Sequence, residues 1–255
     1  MDFIVTETVG HVLKIGLNRP EKMNAFTMQM MAELSEAYTL LDKNKELRCG
    51  LLYTTSENFT SGLDLAEVTP HVLAGEALFP TTKIDPLRLT GDELSKPMIL
   101  AVQGYCLTIG LELLLAADIC IATPLTKFGQ IEVQRGIFPF GGATFRMRQR
   151  AGWGNAMHHL LTGDIFDGNE AYRIGLVAEL NENPMSRGFD LATIISEQAP
   201  LGVQATLQNS RLALIDEKEA KQNLTPTAIQ LMQSKDADEG LQSFIERRKA
   251  KFTGE

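Results

Sequence analysis

Three short, almost wholly apolar runs constrain this chain most: Cys-Gly-Leu-Leu-Tyr at 49–53, Met-Ile-Leu-Ala-Val at 98–102 and Asp-Ile-Cys-Ile-Ala at 118–122. A strand that is apolar on both faces is buried on both, as in a parallel sheet covered by helices. Helical patterns separate the runs. From Thr27 to about residue 44, Met30, Met31, Leu34, Ala37, Tyr38 and Leu41 fall on one face of a helix. The alternation predicts an α/β fold, a sheet with crossover helices. Residues 2–7 and 11–17 alternate apolar and polar around Gly10-His11 and predict a β-hairpin ahead of it.

The pattern changes along the chain. Residues 66–95 carry Pro70, Gly75, Pro80, Pro86 and Gly91 and read as an irregular, mobile lid. After about residue 142 strands become rare. Segments 144–151, 154–161, 186–198, 201–214, 217–232 and 236–249 have helical patterns, with Pro200 and Pro226 as punctuation. The chain thus divides into an α/β body, residues 1–180, and a helical C-terminal region, residues 181–255. With 255 residues, 44% of them hydrophobic, it can bury an ordinary core without a disulfide or metal staple.

Charge and cysteine usage narrow the function. A net charge of −8 argues against nucleic-acid binding, which needs a basic face. Arg247-Arg248-Lys249 with Lys251 forms one basic cluster, read as a solvated helix end, with phosphate contact as the sharper alternative. Cys49, Cys106 and Cys120 each lie in an apolar run, and the sequence has no CxxC or Cys/His cluster. They read as small buried hydrophobes in a reducing compartment, not metal ligands. The N-terminal stretch reads as carrying no signal peptide, and no run approaches the roughly 20 apolar residues of a membrane span. The expectation is a cytoplasmic protein with no membrane or nucleic-acid partner. His158-His159 reads as part of a polar helix face.

Three segments carry candidate chemistry. Phe59-Thr-Ser-Gly-Leu-Asp-Leu65 contains Gly62, which permits an unusual turn with exposed N–H groups. Ala101-Val-Gln-Gly-Tyr-Cys-Leu-Thr-Ile-Gly-Leu-Glu-Leu113 ends a strand near Gly104 and begins an apolar, buried helix near Ile109. The free N–H groups and positive dipole end of a buried helix start suit developing negative charge. Glu112 falls in its first turn, and a buried glutamate invites a functional reading. In the third segment, Phe128 to Gly142, Glu132 follows Glu112 by twenty positions in an apolar surround, and Gly136, Gly141 and Gly142 imply tight backbone geometry.

Together these segments resemble the crotonase (enoyl-CoA hydratase/isomerase) superfamily, most closely its enoyl-CoA hydratases. Leu17-Asn-Arg-Pro-Glu-Lys-Met-Asn-Ala25, Leu161-Thr-Gly163 with Glu170-Ala-Tyr-Arg-Ile-Gly-Leu-Val177, and the stretch from Asp238 to Phe252 extend the resemblance over nearly the whole chain in the family's order. The resemblance implies a crotonase-like ββα spiral with a helical C-terminal trimerisation region, in a homotrimer or dimer of trimers. It implies a lyase of fatty acid metabolism that hydrates a trans-2-enoyl-CoA, with coenzyme A as part of the substrate and no other cofactor. Its catalytic positions are Glu112 and Glu132, with the N–H groups of Leu63 and Ile109 as the oxyanion hole. Glu21, Lys22, Met23, Ser61, Leu63, Asp64 and Leu65 would contact coenzyme A, joined by Phe244 and Lys249 from a neighbouring subunit.

Three departures bear on the substrate. Thr108-Ile109 stands where the family has glycines, Ile131 where a proline is common, and Gly142-Ala-Thr-Phe-Arg146 where a Gly-Gly-Thr-Gln-Arg type sequence is usual. Ile109 still supplies an N–H if its φ is negative, as at a helix start. The alternatives are a double-bond isomerase of the same superfamily and a non-catalytic acyl-CoA binding protein. A serine hydrolase lacks its Gly-x-Ser-x-Gly sequence around Ser61.

Overall fold

A computed structural model describes residues 2–255. Among them, β1 (Ile4–Val9), β2 (Val12–Leu17), β3 (Cys49–Thr54), β4 (Met98–Val102), β5 (Tyr105–Leu107), β6 (Ile119–Ala122), β7 (Lys127–Gly129) and β8 (Glu179–Leu180) form two sheets. The main sheet runs β1-β2-β3-β4-β6-β8, and β5 pairs with β7 in the other. The β1–β2 hairpin is antiparallel and turns between Val9 and Val12. All later pairings are parallel. The three apolar runs are β3, β4 and β6, the interior of the main sheet. The fold is α/β, with a helical C-terminal region.

Helices cover both faces of that sheet. α1 (Met28–Lys43) begins where the Thr27 side chain accepts the Met30 N–H at 3.1 Å, a standard cap. It buries the predicted face, from Met30 to Leu41. Residues expected to form a lid instead begin with a helix, α2 (Leu65–Leu73), which carries Pro70 within it. The irregular remainder is anchored by buried Phe79, Ile84, Leu87 and Leu94, and this burial explains why its proline- and glycine-rich sequence still packs. α3 (Ile109–Ala116) is buried at every position.

α4 (Ala143–Thr162) is kinked at Gly152 (φ 75°, ψ 162°), so the two predicted segments, 144–151 and 154–161, meet end to end. α5 (Gly168–Arg173) precedes β8. α6 (Pro184–Ser196) packs Ala192 against Val12, Cys49, Leu51, Ile99, Ala101 and Ile121, the second apolar face of the sheet. α7 (Pro200–Ala213), α8 (Glu217–Met232) and α9 (Lys235–Glu246) follow. Pro226 lies inside α8 and does not separate helices. α9 stops at Arg247, whose left-handed backbone (φ 55°) puts the basic cluster past the helix end. There Arg248 pairs with Glu239 and Glu246, and Lys249 with Glu197 at 2.7 Å.

The three cysteines are free and buried, as expected. No helix among the described residues is long and apolar enough to cross a membrane. His159 departs from the expected polar face. Its side chain is buried, with Nδ1 2.9 Å from Asp164 Oδ1 and its ring stacked on Phe166 at 4.0 Å. The chain reverses at Gly163, in a left-handed conformation, and returns Asp164 and Phe166 onto the helix. His158 alone faces solvent.

Candidate active site

A cavity of about 90 Å³ is lined by Leu63, Ile109, Glu112 and Glu132, together with Ser61 and Leu65. Two backbone donors face it for different local reasons. Phe26 donates to Gly62 O at 2.8 Å and accepts from the Asp64 N–H at 2.9 Å. Along such an extended bridge successive N–H groups alternate in direction, so that of Leu63 points the other way and meets no acceptor among the described residues. Ile109 opens α3, where the first N–H groups have no partner within the helix. The Thr108 N–H is used by Gly129 O at 2.9 Å, and that of Ile109 is left free among the described residues.

The two donors are held together. Thr60 donates to Tyr105 O at 2.8 Å and accepts from the Leu107 N–H at 3.1 Å, tying the Leu63 segment to β5, the strand that leads into α3. Ile109 is helical, as the family resemblance requires. The left-handed turn falls one residue earlier, on Thr108 (φ 49°, ψ −114°). A β-branched residue is strained there. Its Oγ1 is buried without a partner among the described residues and lies against Gly62, where an added Cβ would sit 2.5 Å from it. Gly62 itself has φ 113°.

The carboxyl groups share the cavity but not their environment. Glu112 Oε1 accepts the N–H of Gly141 at 2.7 Å and of Ala143 at 3.2 Å. Burial pushes Glu112 up to about 6, and these two donors with the nearby Arg146 charge oppose the rise. Glu132 begins a 3₁₀ turn, Glu132–Arg135, and its Oε2 is buried without a partner among the described residues. Burial, reinforced by the charge of Glu112, pushes it up to about 7. The donors on Glu112 favour its charged form, while Glu132 with fewer donors favours the neutral form. The pair is therefore poised as a base and an acid near neutrality.

The predicted coenzyme A residues separate into groups. Ser61, Leu63 and Leu65 line the cavity. Glu21, Lys22 and Met23 form the neighbouring turn, joined to it where the Ser61 N–H donates to Met23 O at 3.0 Å. Asp64 is bound to Arg19 at 3.0 Å and does not line the cavity. Phe244 and Lys249 lie on the distant C-terminal segment and are not brought to this chain's own cavity. Sequence reasoning missed the Gly141 and Ala143 donors, although the glycine run had marked tight backbone there. It also missed Leu78, Arg135, Ile137 and Phe140, which with Thr108 and Ile131 complete the lining.

A family model described as enoyl-CoA hydratase/isomerase matches residues 7–255. The chain is 32% identical to an enoyl-CoA hydratase of Mycobacterium tuberculosis, covering 97% of this chain and 95% of that one. It is 31% identical to the mevalonyl-coenzyme A hydratase of Aspergillus fumigatus, covering 98% and 94%. Its structure is similar to that of a probable enoyl-CoA hydratase/isomerase from Mycobacterium abscessus, with TM-score 0.96, 46% identity and 99% of each chain covered.

Proposed function

We propose that this chain, which belongs to the enoyl-CoA hydratase/isomerase family, adds water across the C2–C3 double bond of a trans-2-enoyl-CoA. The observation that carries the reading is the placement of two unlike, buried carboxyl groups beside two free backbone donors in one cavity. The thioester oxygen accepts from the Leu63 and Ile109 N–H groups, which draws electron density from C3. Glu112, as carboxylate, takes a proton from the bound water as its oxygen bonds to C3. The electron pair of the double bond moves onto the thioester as an enolate. Glu132, as carboxylic acid, gives its proton to C2 and restores the thioester. Passage of the proton from Glu112 back to Glu132 resets the pair. Each oxyanion donor contributes roughly 10²–10³ in rate.

In this reading coenzyme A enters as part of the substrate, no step needs another cofactor, and the 21–23 turn with Ser61, Leu63, Asp64 and Leu65 holds it. Phe244 and Lys249 cover the coenzyme of a neighbouring copy in a homotrimer or dimer of trimers. The exposed apolar side chains Leu224, Ile229, Met232 and Phe244 on α8 and α9 support such packing. The test is the loss of conjugated thioester absorbance on adding trans-2-hexenoyl-CoA. Hydration to the 3-hydroxyacyl thioester is expected. No hydration, together with conversion of 3-hexenoyl-CoA to the 2-enoyl thioester, would assign the chain to the isomerases.

A further inference from the structure

Beyond the glutamates the cavity lining is mostly apolar, with Leu65, Leu78, Ile131, Ile137 and Phe140 joined by the hydroxyl side chains Ser61 and Thr108, and its one positive charge is Arg135. Arg135 closes the 3₁₀ turn that Glu132 opens. In such a helix side chains three residues apart eclipse one another, and both of these line the cavity. With a rise of about 2 Å per residue, Arg135 stands about 6 Å along the turn from Glu132.

The charge of Arg135 is uncommitted. Arg19, Arg88, Arg173, Arg187, Arg211 and Arg248 are paired with carboxylates, and Arg146 and Arg150 donate to backbone carbonyls. Arg135 makes no ion pair and no side-chain hydrogen bond with any described residue. A guanidinium offers a planar fork that fits a carboxylate with two hydrogen bonds. A few such polar groups in a largely apolar pocket fix orientation and give specificity.

In the hydratase reading the thioester oxygen falls at Leu63 and Ile109 and C2 and C3 at the glutamates, and Arg135, an exposed residue, stands one 3₁₀ turn along the chain from Glu132 on the wall of the same cavity. We propose that Arg135 is an acyl-tail subsite that binds a carboxylate carried a few carbons beyond C3. The preferred substrates are then enoyl-CoA thioesters of dicarboxylic acids, not of plain fatty acids. This placement of C2 and C3 rests on the hydratase reading.

Calorimetric titration of adipyl-CoA and hexanoyl-CoA, matched six-carbon thioesters with no double bond to hydrate, tests the subsite apart from turnover. The wild-type protein is expected to bind adipyl-CoA about 10- to 100-fold more tightly, the worth of a charge-assisted hydrogen-bond pair. Arg135→Leu should abolish that preference, and Arg135→Lys should retain part of it. Equal binding of the two thioesters by the wild type, or a preference that survives in Arg135→Leu, would overturn the proposal. So would a loss of affinity for free coenzyme A in Arg135→Leu as large as that for adipyl-CoA, because the guanidinium would then hold a coenzyme phosphate. Hydration of the corresponding trans-2-enoyl thioesters is read separately. Its absence alongside the binding preference would sink the hydratase reading and leave the subsite standing.

Discussion

Gly141→Ala is a substitution of one methyl group that should disable the candidate base. A Cβ at this position would lie 2.2 Å from Glu112 Oε2 and 2.6 Å from Glu112 Cδ. Ordinary contact requires about 3.5 Å, so the carboxylate must recede by about 1 Å or more. That displacement breaks the 2.7 Å bond from the Gly141 N–H. Losing a hydrogen bond to a charged group costs about 1.5–3 kcal/mol, equivalent to about 10- to 100-fold in kcat/KM. The lost donor also favours the neutral carboxyl, so the acid limb of the pH profile should move above its wild-type position near 6. The assay is hydration of trans-2-hexenoyl-CoA across pH, with circular dichroism to confirm the fold. A folded Gly141→Ala protein with wild-type kcat/KM and an unmoved acid limb would refute the role given to this cradle.

The pH–rate profile of the wild type should be bell-shaped, rising as the pair loses its first proton near 6 and falling as it loses the second near 7; a flat profile from pH 5 to 9 would contradict it. Glu132 has its folded-state value raised, so its neutral form stabilises the fold at low pH and that contribution is lost as pH rises through about 7. Glu132→Gln should therefore melt higher than wild type above pH 7 and lose the advantage below about pH 4, read from Tm against pH. Thr108→Gly relieves a strained left-handed residue and an unpartnered hydroxyl, and should raise unfolding free energy by about 1 kcal/mol in urea titration. A loss of that size would mean that packing against Gly62 outweighs the strain.

The central sheet was legible because β3, β4 and β6 are apolar on both faces, a pattern set by local sequence. Glu112 and Glu132 stood out as candidates for another reason: charged side chains amid apolar residues have few structural explanations, and the resemblance to the crotonase superfamily supplied their proposed role. β5, β7 and β8 were not, because two or three residues show no periodicity and are held by pairing with distant segments. α2 was hidden by Pro70 and the glycines that follow. His159 read as polar surface because its partners, Asp164 and Phe166, come from a return of the chain that its helical pattern does not encode. The Gly141 and Ala143 donors were hidden in the same way, since a backbone N–H has no sequence signature, and only the glycines hinted at the close approach.

Product formed from trans-2-hexenoyl-CoA in water enriched in ¹⁸O, analysed by mass spectrometry for the wild type, Glu112→Gln and Glu132→Gln, tests the two-carboxylate account most directly. The wild type should place the label in the C3 hydroxyl. Each variant should slow labelling by at least about 10², within the range that acid–base catalysis supplies, while still binding hexanoyl-CoA. Labelling by either variant at the wild-type rate would contradict the account.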